Sequence, residues 1–158
     1  MADDKLPSPQ KDDPPKKEMP FKFITVLAIL GMLVSAYLTW IHWNPGVAAC
    51  TGVGDCEAVN SSAYATLGEI PIAILGFGMY ASVLGLVWIG KRAGGRASDN
   101  AGLGIFGFSL LGVLFSGYLT YIELYVIHAI CPYCVISAIL VTLIFAVSVP
   151  NFLAWMRV

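Results

Sequence analysis

Charged residues are scarce in this chain, and the scarcity is greatest in its four longest apolar runs. Asp, Glu, Lys and Arg make up 12% of the residues, whereas apolar residues make up 58%. That balance excludes an ordinary soluble domain. The runs, at about 23–43, 70–90, 102–127 and 131–149, contain one charged side chain, Glu123. Because a bilayer is crossed by about 20 mostly apolar residues, we expect an all-α polytopic membrane protein, a four-transmembrane-helix bundle.

Basic residues are absent from two of the three connections between these runs. Neither 44–69 nor 128–130 contains Lys or Arg. Lys and Arg precede the first run, separate the second from the third, and follow the fourth. Since such residues concentrate in cytoplasmic loops, we expect both termini in the cytoplasm and an extracytoplasmic loop over the mouth of the bundle.

The remaining segments have little apolar surface to bury. Residues 1–22 are rich in Pro, Lys and Asp, so we expect a disordered cytoplasmic tail. We assign 23–149 to a four-helix transmembrane domain and 150–158 to a second cytoplasmic tail. Within the long outer loop, 58–67 is expected to form a short helix.

Histidine is also scarce, with two residues, and cysteine is limited to four, all predicted on the outer side. Cys131 and Cys134 have CxxC spacing and open the fourth run, with Pro132 at its first helical position. The free N–H groups and positive dipole of a helix N-terminus stabilise a thiolate. This pattern is typical of a redox-active pair.

Cys50 and Cys56 enclose a Gly-containing stretch that is able to close into a disulfide. A structural disulfide that closes so short a loop stabilises the folded state by only about 2–2.5 kcal/mol. Exposed disulfides in short rings, by contrast, exchange readily with thiols. We therefore expect a second reactive pair rather than a purely structural one.

Two other chemistries fit the sequence less well. Two close-spaced pairs would suit zinc, but the spacing of Cys50 and Cys56 is poor for that, and we expect no metal. Residues 102–107 match GxGxxG without the preceding strand that a dinucleotide site needs. We expect neither nucleotide nor nucleic-acid binding.

The combination of Cys50, Cys56, Ser62, the helix start at 68–71 and the late CxxC resembles the vitamin K epoxide reductase family over about 23–149. The similarity is to the stand-alone form of its bacterial members. DsbB-type proteins carry the CxxC in the first outer loop, the reverse of the order here.

The resemblance implies that Cys131 and Cys134 form the active-site pair beside a quinone, either ubiquinone or menaquinone. It implies that Cys50 and Cys56 shuttle electrons to them and that Ser62 lies near the quinone. Some bacterial relatives carry a thioredoxin-like domain after the last helix. Because this chain ends at 158, we expect a separate extracytoplasmic thioredoxin-like, DsbA-like partner.

One position departs from the animal members of the family. They have a tyrosine four positions after the second active-site cysteine, where this chain has Ala138. Quinone reduction is therefore implied here, and epoxide reduction is not.

Glu123 is a candidate proton donor, because an ionisable residue within a membrane span indicates function. The alternative is a solvated residue near the outer interface.

The sequence predicts a quinone-dependent thiol–disulfide oxidoreductase of a bacterial plasma membrane, which reoxidises its partner and so supports disulfide bond formation. The alternative is a non-enzymatic membrane scaffold whose disulfides brace its loops. A pore is disfavoured, because the spans have almost no polar residues at mid-depth.

Overall fold

The computed structural model describes residues 20–44, 46 and 54–157. In chain order the elements are α1 (Phe21–Trp43), α2 (Cys56–Asn60), β1 (Thr66–Leu67), β2 (Ile70–Pro71), α3 (Ile72–Ala93), α4 (Gly95–Ile122), a π-helical turn (Glu123–Ile127) and α5 (Pro132–Met156). The four long helices, with the π-turn continuing α4, are long and apolar enough to cross a membrane. The predicted four-helix membrane bundle is confirmed.

Helices α1 and α4 each pack against both α3 and α5, so the four helices form a ring. Buried, mostly aliphatic side chains from all four fill its centre. This aliphatic core consists of Ile24, Leu27, Ala28, Tyr80, Val83, Val87, Ile105, Leu140, Val141 and Ile144. Large apolar side chains such as Leu33, Trp88 and Leu111 are exposed on the outside of the ring. Extensive exposed apolar surface is suited to lipid rather than to water.

The helices extend beyond the predicted spans. Helix α4 begins at Gly95 rather than at 102, and α5 continues to Met156 rather than ending at 149. The predicted bounds reflect the length of helix that crosses the hydrocarbon layer. Because a helix hydrogen-bonds its own backbone groups, it is able to continue beyond that layer into polar surroundings. Pro150 lies inside α5, so the segment assigned to a tail from 150 is helical through Met156.

The short outer helix is α2, and it begins and ends earlier than the predicted 58–67. The Asp55 carboxylate accepts a hydrogen bond from the Ala58 N–H at 2.9 Å, which caps the helix at its start. The Ser61 and Ser62 hydroxyls donate to the carbonyls of Glu57 and Val59. Such side-chain bonds compete with helix continuation, and the chain then turns into the β1–β2 hairpin.

Two hydrogen bonds join α2 to the end of α1. The Asn60 amide donates to the Leu38 carbonyl at 3.2 Å, and the His42 ring nitrogen lies 3.0 Å from the Asn60 carbonyl oxygen. Helix α2 also contacts the π-turn. The described part of the loop between α1 and α3 is thereby held over one end of the bundle, as predicted.

Candidate active site

The CxxC motif begins α5 in the predicted way. Cys131 is the N-cap residue, Pro132 occupies the first helical turn, and the Val135 N–H donates to the Cys131 carbonyl at 3.1 Å. Proline costs little there because its missing N–H would have had no partner inside the helix. The two cysteines thus lie at a helix N-terminus.

Cys131 is packed against a residue of the outer loop. It forms a buried cluster with Leu38, Cys56 and Val59, and both cysteines of this sulfur cluster are 0% exposed. The cluster combines residues from α1, from α2 and from the cap of α5. The fold therefore brings Cys56 and Cys131, which are far apart in sequence, into one water-excluded group.

The loop that carries Cys56 is held against the segment before the CxxC. The Asp55 N–H donates to the Ile130 carbonyl at 3.1 Å. Gly54, with φ +97°, lies so close to this segment that a Cβ would collide with the Ile130 carbonyl oxygen and contact Pro132. Glycine is required here by both its backbone conformation and its lack of a side chain.

Cys56 differs in oxidation state from the two CxxC cysteines. Cys56 is disulfide-bonded, whereas Cys131 and Cys134 are free thiols. The predicted partner of Cys56, Cys50, lies outside the described residues.

The free pair is electrostatically asymmetric. The Cys134 thiol donates a hydrogen bond to the Cys131 sulfur and holds the pKa of Cys131 below its ordinary value. Burial and the negative charge of Glu123 oppose this effect. Cys131 is consequently predisposed to exist as the thiolate, the form that exchanges with disulfides.

A cavity of about 410 Å³ opens beside Cys134. Apolar side chains from the four long helices form most of its wall. The polar groups on the wall include Asn60, Ser62, Tyr80, Glu123, Cys134 and Ser137. Cys131 does not line this cavity, so the two cysteines of the motif have different neighbours.

Ser62 lines the cavity, and its hydroxyl donates to the Val59 carbonyl at 2.7 Å. Because a hydroxyl has one proton, Ser62 in this state has lone pairs but no free donor for a ligand. Its contact also helps to end α2 above the cavity.

Glu123 is 5% exposed and lines the cavity. Its carboxyl group is hydrogen-bonded to the Cys131 backbone and to the Cys134 side chain. The alternative of a solvated interfacial residue does not fit this burial.

Tyr80 was not singled out by the sequence reasoning. It is almost fully buried, its ring lies against Gly31, and its hydroxyl donates to the Ser137 carbonyl at 2.9 Å, next to the cavity. The available signal was a tyrosine near the middle of an apolar run, since polar groups at that depth need partners.

In the described part of the chain, no group of three or more His, Cys, Asp or Glu side chains is placed to hold a metal ion.

Comparison with known proteins identifies a family. The model of the vitamin K epoxide reductase family matches residues 22–149. The chain is also 32% identical over 125 residues to the thiol-disulfide oxidoreductase LTO1 of Arabidopsis thaliana. That alignment covers 76% of this chain and 33% of LTO1, so the chain spans about a third of the length of this curated relative.

Proposed function

The chain belongs to the vitamin K epoxide reductase family, and on that premise we propose that it is a membrane thiol–disulfide oxidoreductase. In this proposal it reoxidises an extracytoplasmic thioredoxin-like protein and passes the electrons to a membrane quinone. The catalytic residues are Cys50, Cys56, Cys131 and Cys134.

The observation that carries the proposal is the separation of the two CxxC sulfurs. Cys131 is buried with Cys56 on the side of the outer loop, and Cys134 lines the apolar cavity. A relay needs this division, because one sulfur must exchange with the loop pair while the other meets the acceptor.

The relay then has four exchanges. A partner thiolate attacks the loop disulfide and forms a mixed disulfide, and the partner's second thiol resolves it, so that the partner leaves oxidised and the loop pair reduced. The Cys56 thiolate attacks Cys131 of an oxidised CxxC and releases Cys134 as a thiolate. Cys50 resolves the Cys56–Cys131 disulfide, which leaves a reduced CxxC and an oxidised loop pair.

The cavity fits a quinone as the electron-accepting substrate. Its volume of about 410 Å³ is within the ordinary range for small-molecule sites, about 300–1,000 Å³. Its largely apolar wall suits a hydrophobic ring, and its few polar groups are able to orient the ring oxygens. Bound there, a quinone would accept the two electrons released when the CxxC pair becomes a disulfide, together with two protons. Ser62 contributes by shaping the wall above it.

The proposed orientation places the sulfur cluster on the outer side of a bacterial plasma membrane and both termini in the cytoplasm. Lys91 and Arg92 end α3, and Arg96 lies in the first turn of α4, at the end of the bundle opposite the cysteines. Basic residues at that end support a cytoplasmic position for it.

The test is anaerobic quinol formation. Purified protein is mixed with a reduced DsbA-like protein and short-chain ubiquinone or menaquinone, and quinol is followed optically. We expect quinol with the wild type and none with Cys131→Ala or Cys56→Ala, because each variant interrupts the relay. If neither quinone is reduced with this donor or with a second thioredoxin-like donor, the scaffold with structural disulfides becomes the better account.

A further inference from the structure

Glu123 lies on the same face of α4 as Ser116 and Thr120, at the start of the π-turn. Glu123 is its first residue, His128 ends it in the left-handed conformation at φ 56°, and the Ala129 N–H returns to the Glu123 carbonyl at 3.2 Å. Glu123 is buried at the cavity, while Tyr125 within the same turn is exposed.

The Glu123 carboxyl group joins the two halves of the CxxC. It accepts the backbone N–H of Cys131 at the start of α5 and is hydrogen-bonded to the Cys134 thiol. That thiol also donates to the Cys131 sulfur. Because a thiol has one proton, the Cys134 proton has two acceptors within reach, a sulfur and a carboxylate oxygen.

We propose that Glu123 is a catalytic residue that accepts the Cys134 proton and delivers it to a quinone oxygen as the CxxC pair is oxidised. This inference rests on the proposed quinone reduction and deepens it. The carboxylate reaches the reacting sulfur and, because it lines the cavity, also faces the acceptor.

The step balances. Proton transfer to Glu123 leaves Cys134 as a thiolate beside the Cys131 thiolate. These two sulfurs form one S–S bond and release two electrons to the quinone ring. One quinone oxygen takes the proton held by Glu123 and the other takes a proton from water, which gives the quinol and restores the carboxylate.

Other polar groups on the wall are less suited to this role. The Ser62 and Tyr80 hydroxyls donate to the carbonyls of Val59 and Ser137, so their protons are already engaged. Among the described residues, Glu123 is the charged side chain that lines the cavity. It is also the one whose carboxyl contacts Cys134.

The first experiment separates the two half-reactions in Glu123→Gln. Quinol formation by the pre-reduced protein should fall about 10²-fold, the lower end of what general acid–base catalysis contributes. Disulfide transfer between the loop pair and the CxxC should persist, because it does not involve the quinone. Glu69→Gln removes an exposed carboxylate at the hairpin turn and is the matched control. Wild-type quinol formation in Glu123→Gln would overturn the inference.

Glu123→Asp keeps the carboxyl group but shortens its reach, so its rate of quinol formation should lie between those of Glu123→Gln and the wild type. If Glu123→Gln fails to fold, Glu123→Asp still tests the proposed proton transfer. Equal loss of quinol formation and of disulfide transfer in Glu123→Asp would indicate a structural role and overturn the proposal.

A second readout needs no quinone. In a protein that carries Cys134→Ser together with Cys50→Ala and Cys56→Ala, Cys131 is the one cysteine of four that remains, and its ionisation is followed by thiolate absorption. Since the charge of Glu123 raises the pKa of Cys131, adding Glu123→Gln should move the titration to lower pH. An unchanged titration would show that Glu123 is not the carboxylate that the proposal requires.

Other charged groups do not account for such a shift. The Asp55 carboxylate caps α2 through the Ala58 N–H, Glu57 on α2 is exposed, and Arg96 and Asp99 are at the far end of α4. His128 lines a groove on the outer face, and Tyr37 and Tyr133 pair their rings beside the CxxC. All of these groups are present in both variants. If the wild type forms no quinol, the proposed function fails, whereas this titration still reports on Glu123.

Discussion

The aliphatic core and the sulfur cluster are both buried, but they are built differently. The core takes its residues from within the four long helices, where each side chain is fixed by a continuous backbone. The sulfur cluster takes Cys56 from the first position of α2 and Cys131 from the cap of α5. The difference indicates that the core supplies the frame, while the reactive sulfurs lie at element ends that depend on loop contacts. Substitutions in the core should therefore affect stability, whereas substitutions around the sulfur cluster should affect disulfide transfer.

The largest effect expected from this comparison is that of Gly54→Ala on disulfide transfer. A Cβ there would collide with the Ile130 carbonyl oxygen and push the Cys56 loop away from Cys131. A displacement of about 1 Å at a reacting centre costs about 10²-fold in rate, and we expect a loss of that order in transfer between the pairs. Stopped reactions with alkylated, mass-tagged thiols would measure it.

The control for this variant is Gly68→Ala. Gly68 also has a positive φ, +71°, but no atom lies within 4 Å of a Cβ built there. It therefore shares the backbone strain without the collision. Equal rates in the two variants would show that the contact with Ile130 does not position the loop.

In the aliphatic core, Gly31→Ala should act on stability instead. Its Cβ would collide with the ring of Tyr80, and overpacking of this kind costs about 1–3 kcal/mol. We expect a lower unfolding midpoint in detergent, with disulfide transfer preserved. Gly78→Ala, in α3 where the space is open, should leave the midpoint higher than Gly31→Ala does. The reverse order would contradict the assigned packing of Tyr80 on Gly31.

The smallest effect concerns the ionisation of Cys131. The hydrogen bond from Cys134 is the main cause that lowers the pKa of Cys131. Cys134→Ala removes this donor, so the pKa should rise and the thiolate fraction at neutral pH should fall. Cys134→Ser keeps a hydroxyl donor and should retain more of the thiolate. Thiolate absorption against pH would measure both in a protein that also lacks Cys50 and Cys56, and a lower pKa in Cys134→Ala than in Cys134→Ser would contradict this assignment.

The sequence predicted the frame well because the governing signals are local. Apolar runs of bilayer length located the four helices, and Pro132 after Cys131 located the start of α5. The helix ends were less predictable, because polar residues such as Arg96 and Asp99 continue α4 outside the apolar run. The length of an apolar run reflects the thickness of the membrane, not the residue at which helical hydrogen bonding ends.

The site itself was only partly predictable. The four cysteines and Ser62 follow from motifs, but the hydrogen bonds of Glu123 to Cys131 and Cys134 join the end of α4 to the start of α5 and have no sequence motif. The pairing of Cys56 with the Cys131 side of the motif depends on Gly54, whose close approach to Ile130 is a long-range contact. Periodicity cannot report contacts between segments that are distant in sequence.

The most direct test of the relay is to trap its intermediate. In Cys134→Ala the thiol that would resolve the link is missing, so the Cys131 thiolate is able to attack Cys56 of the oxidised loop pair, release Cys50 as a thiolate and remain linked to the loop. The account predicts a Cys56–Cys131 disulfide, detected by mass spectrometry of digested membranes and absent when Cys56 is also replaced. If Cys131 is never linked to a loop cysteine under these conditions, electrons do not pass between the pairs in the proposed order.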